Sequence, residues 1–322
     1  MVVDLFFRTP RIIGPDQKIL LDAAKGVPVE RRAVGGVVLN HLGWARVLGL
    51  EVGVFGKIGA DANGAFLRAG MAALGIRAHL TRNGSASSFA PIFVDRKGNR
   101  AIYMARGATA ELTPGEILKY HMKFIRRARI VTTEISQLPL PTVNAILLLA
   151  RNLAIPTVLD VDVPIADACP ALGSRAQLER ALRLATVLKP AKTAARDLVA
   201  LGASDPVEMA EAIRLRYRSS AVVITDGAKG CAIAARDTGL RVPGFRVKQV
   251  DSTGAGDAFL GAMLAGLRWG FDWQSIGRLA NAAGAVSVTR MGAFPAGFEL
   301  RAEIAKLYGR PIPKFARPGM RK

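Results

Sequence analysis

Residues Asp251–Phe259 read DSTGAGDAF and run directly into the apolar stretch LGAMLAGL. The run sets an acid, Asp257, inside a glycine-rich turn at the start of a buried helix. A strand-like segment, FRVKQV, precedes the turn, and the helix AFLGAMLAGLRWG follows it. In open parallel sheets, ligands bind at the carboxyl ends of strands, where loops enter helices. Gly254 and Gly256 let backbone amides turn inward, and the helix N-terminus adds partial positive charge, so the turn is an anion cradle. A carboxylate beside a bound phosphate would repel it. Asp257 is therefore either a first-turn acid that complements the helix dipole, or a base that takes the proton of an alcohol attacking a phosphoryl group held by the adjacent amides. On these nine residues alone the two readings stand level.

Working outward, strand-like and helix-like runs alternate. EVGVFGKI reads as a strand and ANGAFLRAGMAALG as a helix, followed by the strand RIVTTEI, the helix PLPTVNAILLLARNLA and the strand IPTVLDVDV. RAQLERALRLA, TVLKP, DPVEMAEAIRLRYRSS and AVVITDG continue the order, and from residue 254 to about 290 the chain is helical. Near-continuous apolar strands between amphipathic helices predict an α/β fold with a mostly parallel sheet covered on both faces. One interval breaks the alternation. SSFAPIFVDRKGNRAIYMARGA is two strand-like runs around DRKGN, which is a hairpin signal. With parts of residues 8–34 it predicts a small β lid, so the chain reads as one domain over 1–322 with lid segments near 8–34 and 82–106.

The 322 residues are 50% apolar, which is globular composition with room for a sizeable core. No apolar run approaches the length of a membrane span, and no basic-then-apolar leader opens the sequence. Cys169 and Cys231 lack metal-like spacing, and His41, His79 and His121 are scattered, so neither set predicts a ligand cluster. Core thiols in a reducing cytoplasm are the expectation. Forty-five Lys and Arg against 25 Asp and Glu give a formal charge of +20. KYHMKFIRRAR and the tail KLYGRPIPKFARPGMRK are basic with no acid. Specific nucleic-acid recognition would need a groove-reading helix, a zinc finger or aromatic platforms among those charges, and none is present. A solvated basic surface with weak polyanion binding is the expectation.

DSTGAGDAF resembles the C-terminal signature of the ribokinase-like (phosphofructokinase B type) carbohydrate kinases at every signature position. VGGVVLNHLGWARVLGLEVGVFGKIGADANG resembles their N-terminal signature, and VITDGAKG their nucleotide loop. The resemblance implies a three-layer α/β/α ribokinase-like fold with a β lid, ATP as donor, Mg²⁺, and a sugar, sugar acid or phosphosugar alcohol as acceptor. It implies Asp257 as general base and the amides of Gly254, Ala255 and Gly256 as anion hole. Asp251 and Thr253 match positions that ligate a monovalent cation, K⁺, in many members. Thr225, Gly227 and Gly230 fall on the nucleotide loop. Asn281 matches a position beside the adenine, and reads equally as a buried helix amide. Asp4, Gly35, Gly36 and Asn40 match the acceptor site, with Asp4 also readable as an acid at a strand end. No G-x-x-x-x-G-K-[ST] P-loop is present.

Several positions depart from the family pattern. Members usually begin several residues before this acid, so with Asp4 fourth either the first strand is short or the start is misassigned. The family's N-x-x-E is replaced by AKTA, Ala191 to Ala194, which leaves Lys192 to supply charge there. Val37 and Val38 stand where small residues are common and would wall the acceptor pocket. Lys18, Arg96, Lys97, Arg100 and Arg106 near the lid would suit an anionic acceptor or be solvated charge. A nucleoside kinase of the same fold, using Phe6, Phe7 or Phe89 to stack a base, and a non-catalytic regulatory relative are the alternatives. A homodimer through the lid is expected from relatives.

Overall fold

A computed structural model describes residues 1–22, 31–82, 85–97, 99–199 and 204–313. In chain order the elements are β1 (Val2–Thr9), β2 (Arg31–Gly35), α1 (Val37–Val47), β3 (Gly53–Lys57), α2 (Ala62–Ala73), β4 (Arg77–Thr81), β5 (Phe89–Asp95) and β6 (Arg100–Ile102). Two short helical turns, α3 (Pro114–Glu116) and α4 (Met122–Ile125), lead to β7 (Val131–Glu134), α5 (Leu140–Asn152) and β8 (Thr157–Val161). Then come α6 (Ile165–Ala168), α7 (Arg175–Leu184), β9 (Val187–Pro190), α8 (Lys192–Leu198), α9 (Pro206–Tyr217), β10 (Ala221–Thr225), β11 (Cys231–Ala235) and β12 (Thr238–Val242). α10 (Ala255–Trp269), α11 (Trp273–Ser287) and α12 (Leu300–Tyr308) close the chain.

The main sheet runs β12-β11-β10-β9-β8-β7, parallel from β7 to β10 and antiparallel at β11 and β12. Alternate strand residues enter two cores, as a sheet covered on both faces requires. Val158 and Val223 meet α1, α10 and α11 on one side, whereas Leu159, Leu188 and Val222 meet α5, α7 and α9 on the other. A second sheet, β2-β1-β5-β6, carries the predicted hairpin as the antiparallel pair β5 and β6. β1 is not short: it spans eight residues and pairs with both β2 and β5. Its strand contribution thus begins at Val2, upstream of the expected lid segment. Residues 23–30, 83–84 and 98 of the expected lid segments lie outside the described residues, as does the tail beyond 313.

One expectation fails. FRVKQV is not a strand; the ladder ends with β12 at Val242, and Pro243 has no N–H with which to extend it. β3 and β4 form a separate parallel pair. Among the described residues, no helix is long and apolar enough to cross a membrane.

Candidate active site

α10 begins at the DSTGAGD turn, with Gly254 in the left-handed region at φ 76°. A Cβ there would lie 2.4 Å from the Cβ of Ala293, so this turn requires glycine on two counts. Asp257 projects from the first helical turn into the interior, its side chain 14% exposed. α1 crosses α10 and brings two consecutive residues to it. Asn40 donates its Nδ2 to Asp257 Oδ2 at 2.8 Å, while its Oδ1 is shielded from solvent and has no partner among the described residues. His41 Nε2 lies 3.4 Å from Asp257 Oδ1 and 3.1 Å from Asp160 Oδ2.

Asp160 on β8 and Lys189 on β9 are register partners, and Lys189 Nζ donates to Asp160 Oδ1 at 2.9 Å. The order Asp257, His41, Asp160, Lys189 alternates negative and positive charge through the interior. Burial disfavours the imidazolium, but the hydrogen bonds and charges of Asp160 and Asp257 outweigh it and push His41 up to about 9. Burial likewise opposes charge on Asp160 and Lys189. Their mutual attraction prevails, aided by His41, so that Asp160 is held below the usual carboxylate range and Lys189 above the usual lysine value. A Cβ on Gly256 would lie 3.1 Å from Lys189 Nζ, which places the ammonium directly behind the glycine-rich turn.

The expectation that the histidines form no cluster is therefore wrong. His41 gathers Asp160 and Asp257 within 4.8 Å, and His79 Nδ1 lies 3.0 Å from His121 Nδ1. Spacing along the chain conceals both, because the partners are brought together by tertiary packing. A signal for Asp160 and Lys189 was available, since a lone acid in TVLDV and a lone lysine in VLKP sit in otherwise apolar strands and call for a partner.

Asp4 lies on β1, 7% exposed. A Cβ on Gly35 would approach its carboxylate to 2.3 Å, so β2 closes over Asp4 only with glycine at that register. Burial, and then the charge of Asp257, push Asp4 up to about 7. Asp162, two residues beyond Asp160, rises to about 8 through burial and the charges of Asp160 and Glu134, and its Oδ1 is shielded and without a partner among the described residues. Gly36 starts α1 beside Met1 and Val2. Val38 packs into the core between α1 and β3 rather than walling this site.

Asp251 Oδ1 accepts from the amide and hydroxyl of Thr253 at 2.8 and 2.6 Å, and its Oδ2 accepts from the Gly292 amide at 2.9 Å. Arg100, from β6, sets its guanidinium 3.7 Å from Asp251 Oδ1 and donates to the Thr253 hydroxyl. The pair expected to ligate a monovalent cation thus already faces a fixed positive charge. Of the other basic residues near β5 and β6, Arg96 pairs with Asp22 and Arg106 donates to the Ala171 carbonyl.

On β10, Thr225 closes the strand and Gly227 and Gly230 shape the turn that follows. Lys192 Nζ lies 2.7 Å from Asp226 Oδ2 and ties the start of α8 to this turn. Asn281 donates its Nδ2 to the carbonyls of Val242 and Pro243 at 3.0 and 3.1 Å, so its amide braces the chain leaving β12, in line with the buried-amide reading.

The model of the pfkB family carbohydrate kinases matches residues 12–296. Ribokinase of Bacillus subtilis is 28% identical over 279 residues, covering 85% of this chain and 87% of that one. The structure of Burkholderia thailandensis nucleoside kinase in complex with inosine matches with a TM-score of 0.73 at 24% identity, over 96% of each chain. An E. coli structure described as a ribokinase II in complex with ATP and Mg²⁺ matches with a TM-score of 0.74 at 20% identity, over 95% of this chain and 97% of that one. The structural likenesses establish the ribokinase-like α/β fold, and the matched length carries more: the chain belongs to the pfkB family of carbohydrate kinases.

Proposed function

We propose that this kinase moves the γ-phosphoryl group of ATP to a hydroxyl of a sugar, sugar acid or phosphosugar, with Asp257 as general base. The observation that supports this most is the aim of Asp257: a carboxylate fixed by Asn40 and His41 in the first turn of a helix whose N-terminal amides border the same space. A hydroxyl bonded to Asp257 gives up its proton there as its oxygen attacks phosphorus. The amides of Gly254, Ala255 and Gly256, with the α10 N-terminus and Lys189 behind them, meet the charge on the transferring phosphoryl oxygens. Asp4 and the free Oδ1 of Asn40 suit neighbouring acceptor hydroxyls, with the Gly35 and Gly36 backbone alongside.

The nucleotide end fits Thr225, Gly227 and Gly230, with Asn281 acting through the backbone it braces. Oδ1 of Asp162, without a partner among the described residues and near the charges of Asp160, Glu134 and Asp257, fits a divalent cation. Mg²⁺ bound there would neutralise phosphate charge and help to set the donor in line. K⁺ beside Asp251 and Thr253 is a weaker fit, given Arg100. A nucleoside acceptor is the second reading, and Phe89, 36% exposed, is the aromatic that favours it. Phe6 is buried in the core and Phe7 stacks on Phe93 instead.

ATP consumption measured against a panel of sugars, sugar acids, phosphosugars and nucleosides tests the proposal. Turnover with a hydroxyl acceptor of the first three classes is expected. Turnover confined to nucleosides would select the second reading, and ATP binding with no turnover on any acceptor would overturn both.

A further inference from the structure

Arg100 opens β6 and reaches across to the glycine-rich turn, 153 positions away in sequence. Its guanidinium donates to the Thr253 hydroxyl and lies 3.7 Å from Asp251 Oδ1. The near end of the side chain is held by the hairpin. Arg100 stands in register with Val94 on β5, and Asp95 braces the turn between the strands. Asp95 Oδ1 accepts from the amides of Lys97 and Asn99 at 2.9 and 2.8 Å, and its Oδ2 accepts from Asn99 Nδ2 at 2.9 Å. The arginine is therefore aimed at the turn from a fixed base.

The far end meets a carboxylate that is already in use. Asp251 Oδ1 holds the amide and hydroxyl of Thr253, its Oδ2 holds the Gly292 amide, and the side chain is 12% exposed. The Thr253 hydroxyl donates to Asp251 and accepts from Arg100, so both of its capacities are engaged. A carboxylate so enclosed is costly without a cation. Left uncompensated in the same turn as Gly254, its charge would also oppose the phosphoryl charge that the neighbouring amides are read to meet. A diffusible monovalent ion would have to use Asp251 Oδ1 and the Thr253 hydroxyl oxygen, and those are the atoms that Arg100 engages. The guanidinium keeps its charge at any working pH, and its fork can serve two oxygens together.

We infer that Arg100 takes the place of a monovalent cation at the DSTGAGD turn. It is a positioning residue, which from β6 fixes Asp251 and Thr253 and through them the amides at the start of α10, so that the kinase needs no potassium. The charge is in place only while β6 lies against the turn, which ties the second sheet to the phosphoryl site. The inference rests on the reading of the Gly254–Gly256 amides as the anion hole.

The parent enzyme, Arg100→Ala and Arg100→Gln are to be compared in potassium chloride and in choline chloride of equal ionic strength. Thermal melting without substrates and turnover with ATP and the best acceptor are the two readouts. The parent should show one midpoint and one rate in both salts. In choline both variants should lose about 10- to 100-fold in kcat, with a smaller change in acceptor KM. In potassium they should recover about tenfold of that loss, and their midpoints should rise by a few degrees as the ion enters the vacated place. A parent activated severalfold or stabilised by potassium would overturn the inference. So would variants that match the parent's rate in choline, or that stay impaired and ignore potassium in both readouts. Should the parent turn over no acceptor at all, the proposed reaction fails, while the melts still decide the part of Arg100.

Discussion

His41 is the residue on which the site's charge order turns. It sits between two carboxylates with no exposure of its own, and removing a buried ion-pair partner strands the opposite charge, typically at a cost of several kcal/mol. His41 is raised from 6.5 to about 9 in the folded chain. Its contribution is therefore complete below pH 6.5 and lost as pH rises through 9. Asp162, raised to about 8, acts in the same direction, because a carboxyl that binds its proton more tightly when folded loses stability for the fold as pH rises toward that value. Without ligands, the melting midpoint should fall between pH 6 and pH 9.5, and His41→Gln should begin lower at pH 6 and flatten the upper half of that fall. A variant as stable as the parent at pH 6 would show that the imidazolium carries no such charge. Asp4 makes a second prediction, through binding. Its carboxyl takes up a proton as pH falls through about 7 and then loses part of its capacity to accept acceptor hydroxyls. The acceptor KM should accordingly rise severalfold from pH 8 to pH 6, and Asp4→Asn should raise KM about tenfold and remove that pH dependence.

At the scale of elements, the DSTGAGD turn makes the most specific demand. Gly254→Ala combines a left-handed φ with a collision at Ala293, so it displaces the amides at the start of α10. A fall in kcat of about 100-fold is expected, the scale of losing one preorganised oxyanion donor, and activity assays alongside thermal melts separate this from simple unfolding. α8 offers a milder test. Lys192 pairs with Asp226, both side chains being only partly exposed, so Lys192→Ala should raise the KM for ATP severalfold and leave the acceptor KM unchanged. Unchanged nucleotide kinetics would dismiss any part for Lys192 in place of N-x-x-E.

Elements also show what the amino-acid sequence discloses. β8, β9 and β10 were legible because TVLDV, VLKP and AVVIT are short apolar runs between amphipathic helices, and the turn at Gly254 because only glycine allows its backbone. Asn40 and Asp257, 217 positions apart, were legible through motif resemblance. His41 was not, since a histidine inside an apolar helix carries no local mark of the two acids that other elements bring to it. FRVKQV alternates like a strand, yet the ladder ends at Val242 and Pro243 has no N–H with which to extend it.

The described residues form a six-stranded sheet enclosed by helices, a separate two-stranded pair, and a four-stranded sheet whose Arg100 reaches the glycine-rich turn. That layout brings β1, α1, β8, β9 and α10 to one place, and no single segment contains the site. The +20 charge favours anionic partners of any kind at low ionic strength, and its effect on nucleotide affinity should weaken with added salt. The central claim is chemical, and Asp257→Asn tests it most directly, because the change keeps the shape of the side chain and removes its capacity to take a proton. With ATP and the best acceptor from the panel, a single-turnover measurement should show phosphoryl transfer slowed by at least about 1,000-fold, while calorimetry finds ATP bound within a few-fold of the parent. Transfer at near-parental rate in the Asn enzyme would contradict the account.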